Sequence, residues 1–152
     1  MSEHISLDDY INVNGRLIYS GVGTSMMPLL RPGRDLFVIE KNQTGMFKIG
    51  DVVLFKRNAH RYVLHRIVYK GEGGYVIMGD NCRNAEAGIK ENEIVGIMTA
   101  YIRNGKMHYV HEPMYRLYSL LMIILLPIRA VINKLISIIK RLFCTELIWI
   151  RQ

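Results

Sequence analysis

Across residues 15–111, apolar residues come in short runs separated by turn-forming clusters, the signature of strands. Leu36-Phe37-Val38-Ile39, Val52-Val53-Leu54-Phe55, Tyr62-Val63-Leu64-His65-Arg66-Ile67-Val68-Tyr69 and Tyr75-Val76-Ile77-Met78 are rich in β-branched and aromatic side chains, which fit a pleated, half-buried surface. Residues 94–102 continue the series. Between these runs, Arg57-Asn58-Ala59-His60, Gly71-Glu72-Gly73-Gly74 and Asn104-Gly105 mark turns, the last a strong two-residue hairpin signal. No ten-residue stretch in this region has helical periodicity. The body therefore reads as mainly β, a compact and partly closed sheet assembly.

Residues 113–152 follow a different pattern. Residues 117–128 carry no charge, and 120–126 are continuously apolar until Pro127, which breaks or kinks a helix. Beyond it, Arg129, Asn133, Ser137, Lys140 and Arg141 share one helical face, and Val131, Ile132, Leu135, Ile136, Ile138 and Ile139 cover the rest. This predicts a basic amphipathic helix with a wide apolar side. Twelve uncharged residues reach about 18 Å as a helix, short of the roughly 30 Å of a bilayer's hydrocarbon. The segment is expected to lie in or dip into a membrane interface. The chain thus divides into a β-rich unit, 1–112, and a hydrophobic helical tail, 113–152.

Charge sharpens this division. The net charge of +7 suggests nucleic acid until it is apportioned. Residues 113–152 hold six basic residues against one acid, leaving fourteen basic and twelve acidic residues for the body. A groove that tracks phosphates needs a basic body, so nucleic acid is not the expected partner. The excess belongs to the apolar tail, where it suits an anionic membrane surface. Residues 1–9 are polar and acidic with no apolar core of a secretory signal, so the body is expected on the cytoplasmic side. Two cysteines, Cys82 and Cys144, define no disulfide framework, and the histidines His60, His65, His108 and His111 have no metal-ligand spacing.

Three short strings carry candidate chemistry in a fixed order: Gly23-Thr24-Ser25-Met26-Met27-Pro28, Leu64-His65-Arg66-Ile67-Val68 and Gly79-Asp80-Asn81. They supply a hydroxyl, an imidazole and a carboxylate. Taken singly, each has a plainer reading: a Gly/Ser/Thr turn, a core histidine in an apolar strand, and a Gly-Asp turn. Cys82 beside Asn81 is a competing nucleophile, but nothing adjacent in sequence would activate its thiolate. Tyr101, Tyr109 and Tyr115 near basic residues read as packing aromatics, not base-stacking platforms.

With Gly50-Asp51-Val52-Val53-Leu54-Phe55 between the first two strings, the order and spacing resemble the signal peptidase I family. The likeness is closest to its endoplasmic-reticulum-type branch, in which histidine replaces the usual lysine. It covers roughly residues 21–96, and Ile89-Lys90-Glu91-Asn92-Glu93-Ile94-Val95-Gly96 resembles that family's closing strand. The resemblance implies the mainly β architecture shared with self-cleaving repressors, and a serine endopeptidase that cleaves a preprotein or leader peptide without a cofactor or metal. Ser25 would be the nucleophile, Met26 would pack beside the substrate cleft, and His65 would be the general base. An unperturbed imidazole titrates near about 6.5, so its free base is available at neutral pH. Either Asp80, which matches the motif, or Glu86, six positions on, would orient the imidazole. Asp51 would be architectural. The chain departs from the family in having Gly23 where a second serine often stands, and in having no apolar span ahead of Ser25. The rival from another class is a catalytically inactive, membrane-tethered binding module or regulator on the same fold.

Overall fold

The computed structural model describes residues 6–58 and 61–149. Its strands are β1 (Arg16–Ser20), β2 (Asp35–Glu40), β3 (Val52–Asn58), β4 (Arg61–Gly71), β5 (Gly74–Met78), β6 (Glu86–Ile89), β7 (Ile94–Arg103) and β8 (Lys106–Tyr109). Helix α1 (Leu7–Asn14) precedes them, and α2 (Pro113–Ile124) and α3 (Leu126–Trp149) follow. The strands form one antiparallel sheet in the order β1-β2-β7-β3-β4-β5-β6, with β8 paired to β7. The chain is therefore mainly β, with helices at its end.

The continuous apolar run 52–55 is explained by what covers it. Val52 and Leu54 enter one apolar cluster with Leu17, Phe37, Ile39 and Met98. Val53 and Phe55 enter another with Phe47, Ile67, Tyr75 and Ile77 on the opposite face. Alternate residues of β3 point to opposite faces, and both faces are covered, so no polar alternation survives. Register shifts at Val38/Ile39, Leu54/Phe55 and Ile67/Tyr69 add local twist. The first cluster joins β1 and β2 to β3, so the sheet curls around it. At the β7–β8 turn, Asn104 (φ 51°) and Gly105 (φ 74°) both take the left-handed conformation that a two-residue hairpin of this hand demands.

Helix α1 has no counterpart in the strand-based reading. Its signals are local: the Ser6 hydroxyl accepts the Asp9 N–H at 3.1 Å, and Gly15 ends the helix in the left-handed region. Ile11 is buried against the body, and Asp8 pairs with Lys56 at 3.0 Å. The α2–α3 break falls at Leu125, with a 45° bend, two residues before the ring of Pro127. No single described helix is long and apolar enough to cross a membrane. Taken together, α2 and residues Leu126–Ile139 have the length and composition of a bent span. The turn residues Ala59 and His60 lie outside the described residues, as does the end of the chain from residue 150.

Candidate functional site

Strand β4 sets the site. His65 and Arg66 are consecutive on it, so their side chains leave on opposite faces. Both are buried, and each has a carboxylate close by. The two carboxylates are different residues, which separates the roles that sequence left open between Asp80 and Glu86.

Asp80 belongs to Arg66. The guanidinium donates from Nε to Asp80 Oδ1 and from Nη2 to Oδ2, both at 2.8 Å, in the two-pronged geometry that suits a carboxylate. The remaining nitrogen, Nη1, donates to the Gly50 carbonyl at 2.8 Å and the Ser119 hydroxyl at 2.7 Å. Tyr118 Oη donates to Asp80 Oδ2 at 2.8 Å. Burial works against the Arg66 charge, but Asp80 overrides it and holds the guanidinium above its ordinary pKa. Burial and the Asp80 charge together push the Tyr118 phenol up, so it stays a donor. Every prong of this cluster is used.

Glu86 belongs to His65. Its Oε1 lies 3.3 Å from His65 Nδ1, yet the ring nitrogen makes no hydrogen bond of ordinary geometry and is otherwise unpartnered. Arg57 holds the same carboxylate, donating from Nε to Oε2 at 2.6 Å and from Nη2 to Oε1. Burial pushes the imidazole below its ordinary pKa, against the pull of Glu86, and the Arg57 charge pushes the same way as burial. The ring is therefore neutral around pH 7, its free-base form.

The Nε2 edge faces a crowded point above Gly79. A Cβ built on Gly79 would sit 2.9 Å from His65 Nε2, 2.7 Å from the Ser25 carbonyl oxygen and 2.7 Å from Cys82 Sγ. Only glycine allows the three to converge. The serine turn is held there by Asn81, whose N–H donates to the Ser25 carbonyl at 2.8 Å and whose Nδ2 donates to the Thr24 carbonyl at 3.2 Å. Among the described residues, the Ser25 hydroxyl and the Ser25 N–H make no hydrogen bond, so both remain open to a ligand. Cys82 is a free thiol, with Sγ 3.9 Å from His65 Nε2.

Ser25, His65 and Cys82 line an open groove of about 570 Å³. Its apolar walls come from both halves of the curled sheet: Leu17, Tyr19 and Phe37 from β1 and β2, Leu54 and Leu64 from β3 and β4. Met26 is buried and lines it too. Asp51 does local work only: its carboxylate accepts the Lys48 N–H at 2.8 Å, and its carbonyl accepts the Ile67 N–H. Among the described residues, no three His, Cys, Asp or Glu side chains gather as a metal site.

Sequence reasoning missed four contributors. Asn81, quoted within its motif, had no assigned role. Arg57 meets Glu86 across 29 positions of sequence, and Tyr118 and Ser119 meet Asp80 and Arg66 across 38 and 53. No local period announces such contacts. Comparisons with protein-family models, curated proteins and solved structures found no match to this chain.

Proposed function

We propose that the chain is a serine endopeptidase of signal-peptidase type, acting on a preprotein or leader peptide. The observation that carries this reading is the convergence over Gly79 of the Ser25 turn and the Nε2 edge of a buried, neutral imidazole. His65 takes the Ser25 proton as the hydroxyl oxygen attacks a peptide carbonyl, and the open Ser25 N–H donates to the developing oxyanion. The proton then passes to the leaving amine, and water, deprotonated by the same imidazole, releases the acyl-enzyme. Glu86, steadied by Arg57, orients the ring and stabilises its charged form. An extended substrate fits the groove beside the free edge of β1, where its main chain can add to the sheet. The helical tail attaches the body to a membrane.

A second reading has its own observation: the 3.9 Å contact between Cys82 Sγ and His65 Nε2 would suit a thiol nucleophile on the same base. The resemblance in the serine string, and the open amide at Ser25, favour the hydroxyl. The test is a mass-spectrometric search for cuts in a library of leader-like peptides with small residues ahead of the scissile bond. Wild-type protein is expected to cut and His65→Ala to be inert. A wild-type protein that cuts nothing, with or without vesicles, would favour the inactive binding module instead.

A further inference from the structure

Six residues of the helical tail, Leu117, Leu121, Ile124, Ile128, Val131 and Leu135, succeed one another by steps of four and three. That spacing makes one stripe running through the bend. Each is 46–59 % exposed, although together they form an apolar surface. The opposite face of α2 is committed to the body, where Tyr115 and Ser119 are buried. Arg116 and Lys134 supply positive charge near the stripe, and side chains of this kind reach outward to anionic headgroups. A helix with one face buried in the body and the other apolar and rimmed with cations fits the plane of an anionic membrane better than a path through it.

The same helices grip the site. Tyr118 donates to Asp80, Ser119 accepts from Arg66, and Arg129 Nη2 donates to the Cys82 carbonyl at 3.2 Å. From its other side, the loop holds the serine turn through Asn81. Residues 80–82 are thus clamped between the tail helices and the Ser25 turn. We propose that docking of α2 and α3 on an anionic membrane surface fixes this loop, so that Tyr118 and Arg129 are positioning residues that couple the membrane to the site. The proposal rests on the membrane attachment above, and on the peptidase reading only for its consequence in cleavage.

Two readouts need no substrate. The full-length chain is floated with vesicles of phosphatidylcholine mixed with phosphatidylglycerol, or of phosphatidylcholine alone. Alkylation of Cys82 by iodoacetamide is followed by peptide mass spectrometry, which separates it from Cys144. The protein should float with the anionic vesicles only, and binding should slow Cys82 alkylation several-fold. Tyr118→Phe should still float but lose most of that slowing. Leu121→Asp, which alters only the exposed stripe, should stay folded and lose both. Equal flotation with neutral vesicles overturns the anionic assignment, and flotation without a change at Cys82 overturns the coupling. A chain that forms a discrete dimer and does not float has its stripe covered by a second copy, which overturns the proposal. Cleavage that survives Ser25→Ala would overturn the peptidase reading alone and leave these results standing.

Discussion

On the two faces of β4, neighbouring residues meet carboxylates in opposite ways. On the Arg66 face, Asp80 accepts two guanidinium bonds and a phenol, and the third guanidinium nitrogen is also paired. On the His65 face, Nδ1 is close to Glu86 without bonding it well, and Nε2 looks toward a serine turn whose hydroxyl is unengaged. A saturated polar cluster in a low-dielectric setting holds the fold, because each lost partner strands a buried charge. A cluster with open valences contributes less to the fold and can bind something else. Changes on the Arg66 face should cost stability, and changes on the His65 face should cost chemistry.

The largest expected effect is on the saturated face. Asp80→Ala leaves Arg66 buried without its anion and should cost about 3–5 kcal/mol of stability, read from urea melts. A loss under about 1 kcal/mol would mean that the Arg66 network is not structural. Next comes Gly79→Ala at the meeting point of the two faces. The Cys82 sulfur can swing away from a new methyl, but the Ser25 carbonyl is backbone and must move. Overpacking of this kind should cost about 1–3 kcal/mol and suppress cleavage more than the stability loss explains. Tyr118→Phe removes one donor to a carboxylate and should cost about 1.5–3 kcal/mol. If it is neutral, α2 is not braced through Asp80.

How much of this was legible in sequence depends on the range of the signal. The strand runs 36–39, 52–55, 62–69 and 75–78 all lie within strands, because β-branched and aromatic alternation is local. Asn104-Gly105 named its own turn for the same reason. Helix α1 was missed although its cap signals, Ser6, Asp9 and Gly15, are local too; eight residues with one buried side chain give almost no period to read. Ser25, His65, Asp80 and Glu86 could be nominated from ordered strings, but which acid faces which base could not. That depends on alternate residues of β4 facing apart, and on Arg57 and Tyr118 arriving from distant elements. The tail was read as a separate unit beginning at 113. That reading rests on the uncharged apolar run and the basic face beyond Pro127, while the inward side of α2, at Tyr115 and Ser119, carries no pattern that announces its partners.

The smallest effect is a shift in pH dependence. Because burial lowers the His65 pKa, the free base predominates down to mildly acidic conditions. Cleavage should rise with pH through a midpoint below about 6.5 and then stay level. Glu86→Gln removes the group that pulls the pKa up, so the midpoint should fall further, with a lower plateau as the ring loses its orienting charge. A midpoint that rises in this variant would mean that Glu86 does not act on His65.

The claim that the unsaturated face carries the chemistry, with Ser25 as its nucleophile, is tested most directly by measuring leader-peptide cleavage and urea stability together for Ser25→Ala and Cys82→Ala. The account predicts that Ser25→Ala loses cleavage while its stability stays within about 0.5 kcal/mol of wild type, and that Cys82→Ala continues to cut. Cleavage retained in Ser25→Ala and lost in an equally stable Cys82→Ala would contradict it.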